Sequence, residues 1–189
     1  MPPKFVRECG QCLFRGPVRR CRLRTCERFP YCHVHMRAQL GLVLQQSTIP
    51  EAGRGLFFVG HRLPDGTMHD TIKPGEIITY YSSPEMLTHK EIDAKYGEEV
   101  APYGFCLSRN RCMDSASTLN FPGRLLNDGR SRRRANVKWG GIVKFDEASQ
   151  RYLVPLRASR TIRVHSDPEQ ATELFIAYGK QYWNHGPRS

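Results

Sequence analysis

No stretch of this chain approaches the roughly 18 consecutive apolar residues of a membrane-crossing helix, and MPPKFVRECGQ at its start lacks the apolar core of a secretory leader. No membrane partner is expected, and an intracellular site is. Acidic residues are scarce beside basic ones: 18 Asp and Glu against 29 Lys and Arg leave a formal charge of +11 over 189 residues. Such an excess attracts polyanions, so a nucleic-acid partner bound through the basic surface is one expectation and a merely solvated basic face the other. Internal repeats, low-complexity linkers and heptads are missing too, which leaves the oligomeric state open. The length suits one medium domain plus a small appendage, and 39% hydrophobic residues suffice for a core.

Seven cysteines are present, unevenly placed. Cys106 and Cys112 stand apart and read as ordinary, partly buried thiols. Cys9, Cys12, Cys21, Cys26 and Cys32 crowd the first 32 residues. Residues 1–38 are rich in Cys, Arg and Pro and lack a sustained hydrophobic period, so they cannot fold on apolar burial alone. Clustered thiols in an intracellular chain bind metal more often than they pair. The spacing is Cys9-x2-Cys12-x8-Cys21-x4-Cys26-x5-Cys32-x2-His35, which offers more soft donors than the four a zinc ion takes. The segment CLFRGPVRRCRLRTCERFPYCHVH is similar to a small zinc knuckle in which a Cys-x8-Cys unit is closed by Tyr-Cys-x2-His. That similarity implies Cys12, Cys21, Cys32 and His35 as zinc ligands, with Cys9 and Cys26 in reserve.

From Leu40 the texture changes to short apolar runs, GLVLQQS, GLFFVG, GEIITYY, IVKF and RYLVPL, cut by Gly, Pro, Asn and Asp turns, a β-rich pattern. SPEMLTHKEIDAKYG is expected to be helical, opened by Ser83 and Pro84 and stopped at Gly97. In SDPEQATELFIAYG, Glu169 to Ala171 form at most a short turn, and ELFIAY also fits an apolar strand. A module over 1–38, a main domain over 41–183 and a short tail over 184–189 are expected.

Four separated segments, in order, resemble the SET-domain family of lysine methyltransferases. The first, IPEAGRGLFF, places Gly53, Arg54 and Gly55 before a strand, where glycine lets backbone approach a ligand closely. The second, KPGEIITYYSS, ends a strand in Tyr80 and Tyr81 on opposite faces. The third, CMDSASTLNFPGRLLNDGRSRRRANVKW, matches the family's Asp-Ala, Gly-Asn, Arg-x-x-Asn-His-Ser and Pro-Asn run through Asp114, Asn120, Arg124, Asn127 and Asn136. It departs from that run at Asp128 for histidine, Gly129 for serine and Ala135 for proline. The fourth, TELFIAYGKQYW, follows the family's Glu-Leu-x-x-x-Tyr-Gly ending.

The resemblance implies a mainly β, β-clip-like, pseudoknotted SET-domain fold with short helices behind the zinc-binding module. It implies transfer of methyl groups from S-adenosylmethionine to lysine in a protein, a histone tail leading among substrates, and a nuclear site over a cytoplasmic one. Tyr178 becomes the catalytic tyrosine and Tyr81 the wall of the lysine channel, with Tyr80 packed. Arg54, Gly55, Asn127, Asp128, Tyr178 and Trp183 become the cofactor contacts. Trp139 reads equally as channel wall or strand packing, and Ile176 sits where the family tunes the number of methyl groups. The rival class is a non-catalytic chromatin or nucleic-acid binding protein on a SET-like scaffold, favoured by RSRRRANVK and the Asp128 departure. A thiol hydrolase is disfavoured because no cysteine has a convincing His and Asn or Asp context.

Overall fold

A computed structural model describes residues 10–11, 19, 21–22, 24–25, 31–97, 101, 103–116, 122–147, 150–164 and 171–178. Its elements begin with β1 Gly10–Gln11, β2 Arg24–Thr25, α1 His33–Leu40, β3 Leu42–Gln46 and β4 Arg54–Phe58. Short strands β5 His61–Arg62, β6 Met68–His69 and β7 Thr71–Ile72 lead to β8 Ile77–Ser83, α2 His89–Tyr96, β9 Gly104–Ser108 and β10 Arg111–Asp114. After a 3-10 turn at Pro122–Leu125 come β11 Asn127–Asp128, β12 Val137–Trp139, β13 Lys144–Asp146, β14 Arg151–Ala158, β15 Ile162–Arg163, β16 Thr172–Glu173 and β17 Phe175–Ile176. The chain is mainly β with two short helices, and among the described residues no helix is long and apolar enough to cross a membrane.

The sheet that carries the core is organised around β14. Its alternation buries Val154, Leu156 and Ala158 on one face. Antiparallel pairing joins β14 to β8, β12 and β13, with Val154 opposite Tyr81 and Leu156 opposite both Thr79 and Trp139. The last strands join two sheets. β16 pairs antiparallel with β4, which also pairs with β3, whereas β17 lies between β11 and β12 and runs parallel to both. Leu174 bridges them, fully buried, its N–H donating to the Leu56 carbonyl at 2.8 Å. The C-terminal segment is therefore threaded among earlier strands.

Asn136 holds that segment in place. Its Nδ2 donates to the Glu173 carbonyl at 2.9 Å, its Oδ1 accepts from the Phe175 N–H at 2.8 Å, and its own N–H donates to the Phe175 carbonyl at 3.0 Å. A side-chain amide offers the paired donor and acceptor this needs.

Three local expectations require correction or addition. The helix expected from Ser83 starts later, because Ser83 ends β8 and its hydroxyl bonds the Glu85 and Asp114 backbone. A capping box over Thr88 and Glu91 opens α2 instead: the Thr88 hydroxyl accepts from the Glu91 N–H, and the Glu91 carboxylate accepts from the Thr88 N–H at 2.6 Å. Cys106 and Cys112 are not separate thiols but a disulfide across the β9–β10 hairpin. A register shift beside Cys112 sets the two opposite each other, something residue spacing does not reveal. The third is α1, unannounced by any hydrophobic period because Met36 is its one buried residue. It ends at Gly41 with φ +63°, where a Cβ would lie 2.8 Å from His61 Nδ1. ELFIAY takes the strand alternative.

Replacing Asn136 with Ala strands a buried carbonyl and a buried N–H, and we expect a loss of about 2–4 kcal/mol in urea unfolding. An Asn136→Ala protein as stable as wild type would contradict the clamp.

Candidate active site

The recess beside β4 is built on Glu173, which is 6% exposed. Oε1 accepts from the Ser47 hydroxyl at 2.6 Å, and Oε2 accepts from the Thr48 N–H at 2.7 Å and the Thr48 hydroxyl at 2.5 Å. Asn127 Nδ2, on β11, donates to Glu173 Oε1 and to the Arg54 carbonyl, each at 3.3 Å. A Cβ on Gly55 would collide with Glu173 Oε1 and lie 3.0 Å from Asn127 Nδ2. Arg54, Gly55 and Asn127, far apart in sequence, are thus brought together. Both Asn127 hydrogen bonds use its Nδ2, so its Oδ1 remains an acceptor. The next residue, Asp128, turns its Oδ1 to the Arg130 N–H at 2.9 Å, closing the following loop.

A second feature lies three residues further along the same segment. A cavity of about 1300 Å³ opens among α2, the β9–β10 hairpin and the Pro122–Leu125 turn, and Tyr81, Phe105, Trp139, Ile176 and Tyr178 line it. The Phe105 and Trp139 rings stack at 3.5 Å, with Tyr81 edge-on to each at 6.0 and 5.4 Å. The Tyr178 hydroxyl donates to the Leu126 carbonyl at 2.6 Å, and that of Tyr81 to the Tyr103 carbonyl. Both phenols thus commit their protons to backbone carbonyls, and the Tyr81 oxygen is also hydrogen-bonded by Ser115. Tyr80, the alternate residue of β8, is half-buried and does not line the cavity.

Behind the cavity lies Asp114 on β10, which is buried and bonds the cavity-lining Tyr96. Its Oδ2 accepts from Lys95 Nζ at 2.5 Å and the Tyr96 hydroxyl at 2.8 Å, tying α2 to β10. Arg124 places its guanidinium 5.1 Å from the Tyr103 ring centre.

At the N-terminal side, the donor atoms of Cys21, Cys32 and His35 lie within 4.8 Å of one another, with Cys32 Sγ 3.2 Å from His35 Nδ1. Cys32 caps α1 and His35 sits one turn along, which is how Cys-x2-His brings two donors to one side. Donors bound to one zinc at 2.0–2.3 Å stand about 3.5–3.8 Å apart, so this triad is close to a zinc shell. Cys9, Cys12, Cys26, Asn120 and Trp183 lie outside the described residues.

Sequence reasoning assigned no role to Glu173 or Phe105. Glu173 is the first residue of the Glu-Leu-x-x-x-Tyr-Gly motif, which was the available signal for it. Phe105 carried none.

Burial pushes the Tyr81 phenol far above its ordinary range, and nearby Tyr178 and Asp114 add to the rise while Ser115 opposes it. Tyr96 is raised by burial and its bond to the Asp114 carboxylate, and Tyr103 by burial against the opposing Arg124 charge. The unfolded chain releases these protons near pH 10 while the folded chain keeps them. Their contribution is therefore intact below about pH 10 and lost above it. Urea unfolding at rising alkaline pH should show stability falling above that point, with a smaller fall in Tyr81→Phe. Equal slopes in the two proteins would contradict the buried, neutral Tyr81.

Comparison with solved structures finds similar chains. The protein superposes on a chain of ctPRC2 in complex with two forms of histone H3 at a TM-score of 0.52 and 20% identity, covering 82% of this chain and 16% of that one. A structure of ctPRC2 in an autoinhibited conformation bound to S-adenosylmethionine matches at 0.50 and 20%, covering 80% and 16%. An active polycomb repressive complex 2 in the basal state matches at 0.50 and 20%, covering 74% and 15%. The protein thus spans about one sixth of the length of the chains it matches. No protein-family model and no curated protein sequence matches it. The likeness speaks to architecture: the chain has a SET-domain fold, mainly β with short helices.

Proposed function

We propose that the protein is a lysine methyltransferase that uses S-adenosylmethionine. The observation that carries this reading is the continuity of residues 173–178, in which Glu173 organises the recess while Ile176 and Tyr178 line the aromatic cavity. A donor recess and an acceptor channel joined by one short segment suit a transfer between two separately bound molecules.

The recess suits the amino-acid end of the cofactor. The absence of a Cβ at Gly55 lets the Glu173 carboxylate and Asn127 close in on the β4 backbone, and Asn127 Oδ1 is available to accept from an ammonium group. Arg54, Asp128, Tyr178 and Trp183 complete our assignment of cofactor contacts. When bound, S-adenosylmethionine supplies an electrophilic methyl group on a sulfonium.

The chain's own residues must align a neutral amine with that methyl group. Neutralising lysine from its reference pKa of about 10.4 costs roughly 4 kcal/mol near pH 7.4, and desolvation against Phe105, Trp139 and Tyr81 lowers that cost. The phenol oxygen of Tyr178, its proton turned to Leu126, accepts from the amine N–H and sets its direction, while Tyr81, held by Tyr103 and Ser115, walls the channel. No strong general base is needed. The substrate class is a lysine-bearing protein with a histone tail first, in keeping with the histone H3 complex among the similar structures, and a nuclear site goes with it. Cys12 is assigned as the fourth zinc ligand beside Cys21, Cys32 and His35, in a module over 1–38 that precedes a catalytic domain over 41–183.

Transfer of radiolabelled methyl to core histones and a mixed lysate should place label on lysine. It should fall about a hundredfold or more in Tyr178→Phe and Asn127→Ala. Folded wild type that labels no acceptor, or variants as active as wild type, would count against the assignment.

Metal analysis should find one zinc per chain, lost together with thermal stability in Cys32→Ser and His35→Ala. Metal-free protein that melts at the same temperature would contradict the zinc ligands.

A further inference from the structure

A surface that adjoins the recess at Thr48 and lies outside the cavity carries concentrated charge. Arg132, Arg133 and Arg134 follow one another on an exposed turn, and exposed Arg160 from a neighbouring bend joins them. The Arg160 guanidinium donates to the Arg133 carbonyl at 2.8 Å and the Arg134 carbonyl at 3.0 Å. The turn is therefore scaffolded. The Arg134 and Ala135 N–H groups donate to the Ser131 carbonyl, the Ser159 N–H donates to the Asn136 carbonyl, and the Arg134 guanidinium lies 4.8 Å from the Phe175 ring centre.

Among the described residues, none of these four guanidinium groups forms an ion pair with a carboxylate. The described pairs are His89–Asp93 and Lys95–Asp114. Arg160 meets neutral carbonyls that orient its charge without cancelling it. Four like charges on a fixed backbone repel one another, and that repulsion is relieved when anions arrive from outside. A ligand with charges repeated along its length satisfies consecutive arginines better than a single anion does. The residues are all arginine, whose planar fork suits phosphate oxygens.

We propose that the Arg132–Arg134 turn with Arg160 binds the phosphodiester backbone of a nucleic acid. None of the four lines the aromatic cavity, so strand and cavity are separately accessible. This surface does not depend on the methyltransferase assignment. Binding follows phosphate charge and tolerates sequence.

Fluorescence anisotropy of a labelled single-stranded RNA and a labelled DNA duplex, titrated with full-length protein at KCl between about 50 and 200 mM, tests this. The Arg132→Ala, Arg133→Ala double variant keeps the Arg134 and Arg160 contacts. It is compared with Lys73→Ala, Lys144→Ala, which removes the same charge from exposed positions elsewhere. Loss of two phosphate contacts should weaken binding at least about tenfold. It should also flatten the slope of log affinity against log salt by about 1.4 on RNA or 1.8 on duplex, with the lysine variant close to wild type. A preference for either nucleic acid supports the proposal and identifies the source. Absence of binding at the lowest salt overturns it, as does equal loss in the two variants, an unchanged double variant, or displacement by poly-glutamate as effective as by unlabelled nucleic acid.

Discussion

The recess and the aromatic cavity both depend on holding residues 172–178 between strands that precede them. The segment pairs with β4 at Thr172 and Glu173, passes Leu174 through the core, and pairs with β11 and β12 at Phe175 and Ile176. Asn136 secures it from inside with one amide, and Glu173 secures it at the recess by accepting from Ser47, Thr48 and Asn127. Buried polar groups cost heavily when left without partners. Asparagine and glutamate at these positions therefore favour one threading over others that apolar burial alone would tolerate. The recess and the aromatic cavity are two ends of one short piece of chain.

Much of this was legible because the polar residues that secure the threading are also unusual in context. Asn127 and Asn136 interrupt a basic stretch, Gly55 sits where a strand would favour a side chain, and the tyrosine of TELFIAYG follows an apolar run. Those features survive reading in one dimension, and Arg54, Gly55 and Asn127 do meet, as do Tyr81, Trp139, Ile176 and Tyr178. The partner at the centre of the recess did not stand out. Glu173 opens the Glu-Leu-x-x-x-Tyr-Gly motif, but its role shows only when the fold delivers Ser47 and Thr48 from more than a hundred residues earlier.

What was illegible has specific physical reasons. The register shift that sets Cys106 opposite Cys112 is a property of the hairpin, invisible to spacing, and the same hairpin brings Phe105 onto Trp139. Ser83-Pro84 and Thr88-x-x-Glu91 both signal a helix start, and the reciprocal pair of hydrogen bonds at Thr88 prevails. Helix α1 is short, polar and anchored through Met36, so periodicity could not announce it. It nonetheless links the Cys32 and His35 donors to the core, which makes the N-terminal cluster and the main sheet mechanically continuous.

Calorimetric titration of S-adenosylmethionine into wild type and Gly55→Ala, with circular dichroism to verify that both are folded, tests the joined recess and cavity most directly. The account predicts saturable binding to wild type and none to the variant, whose added methyl group meets the Glu173 carboxylate. Folded wild type that binds no cofactor, or a variant that binds it equally well, would contradict the placement of the cofactor recess.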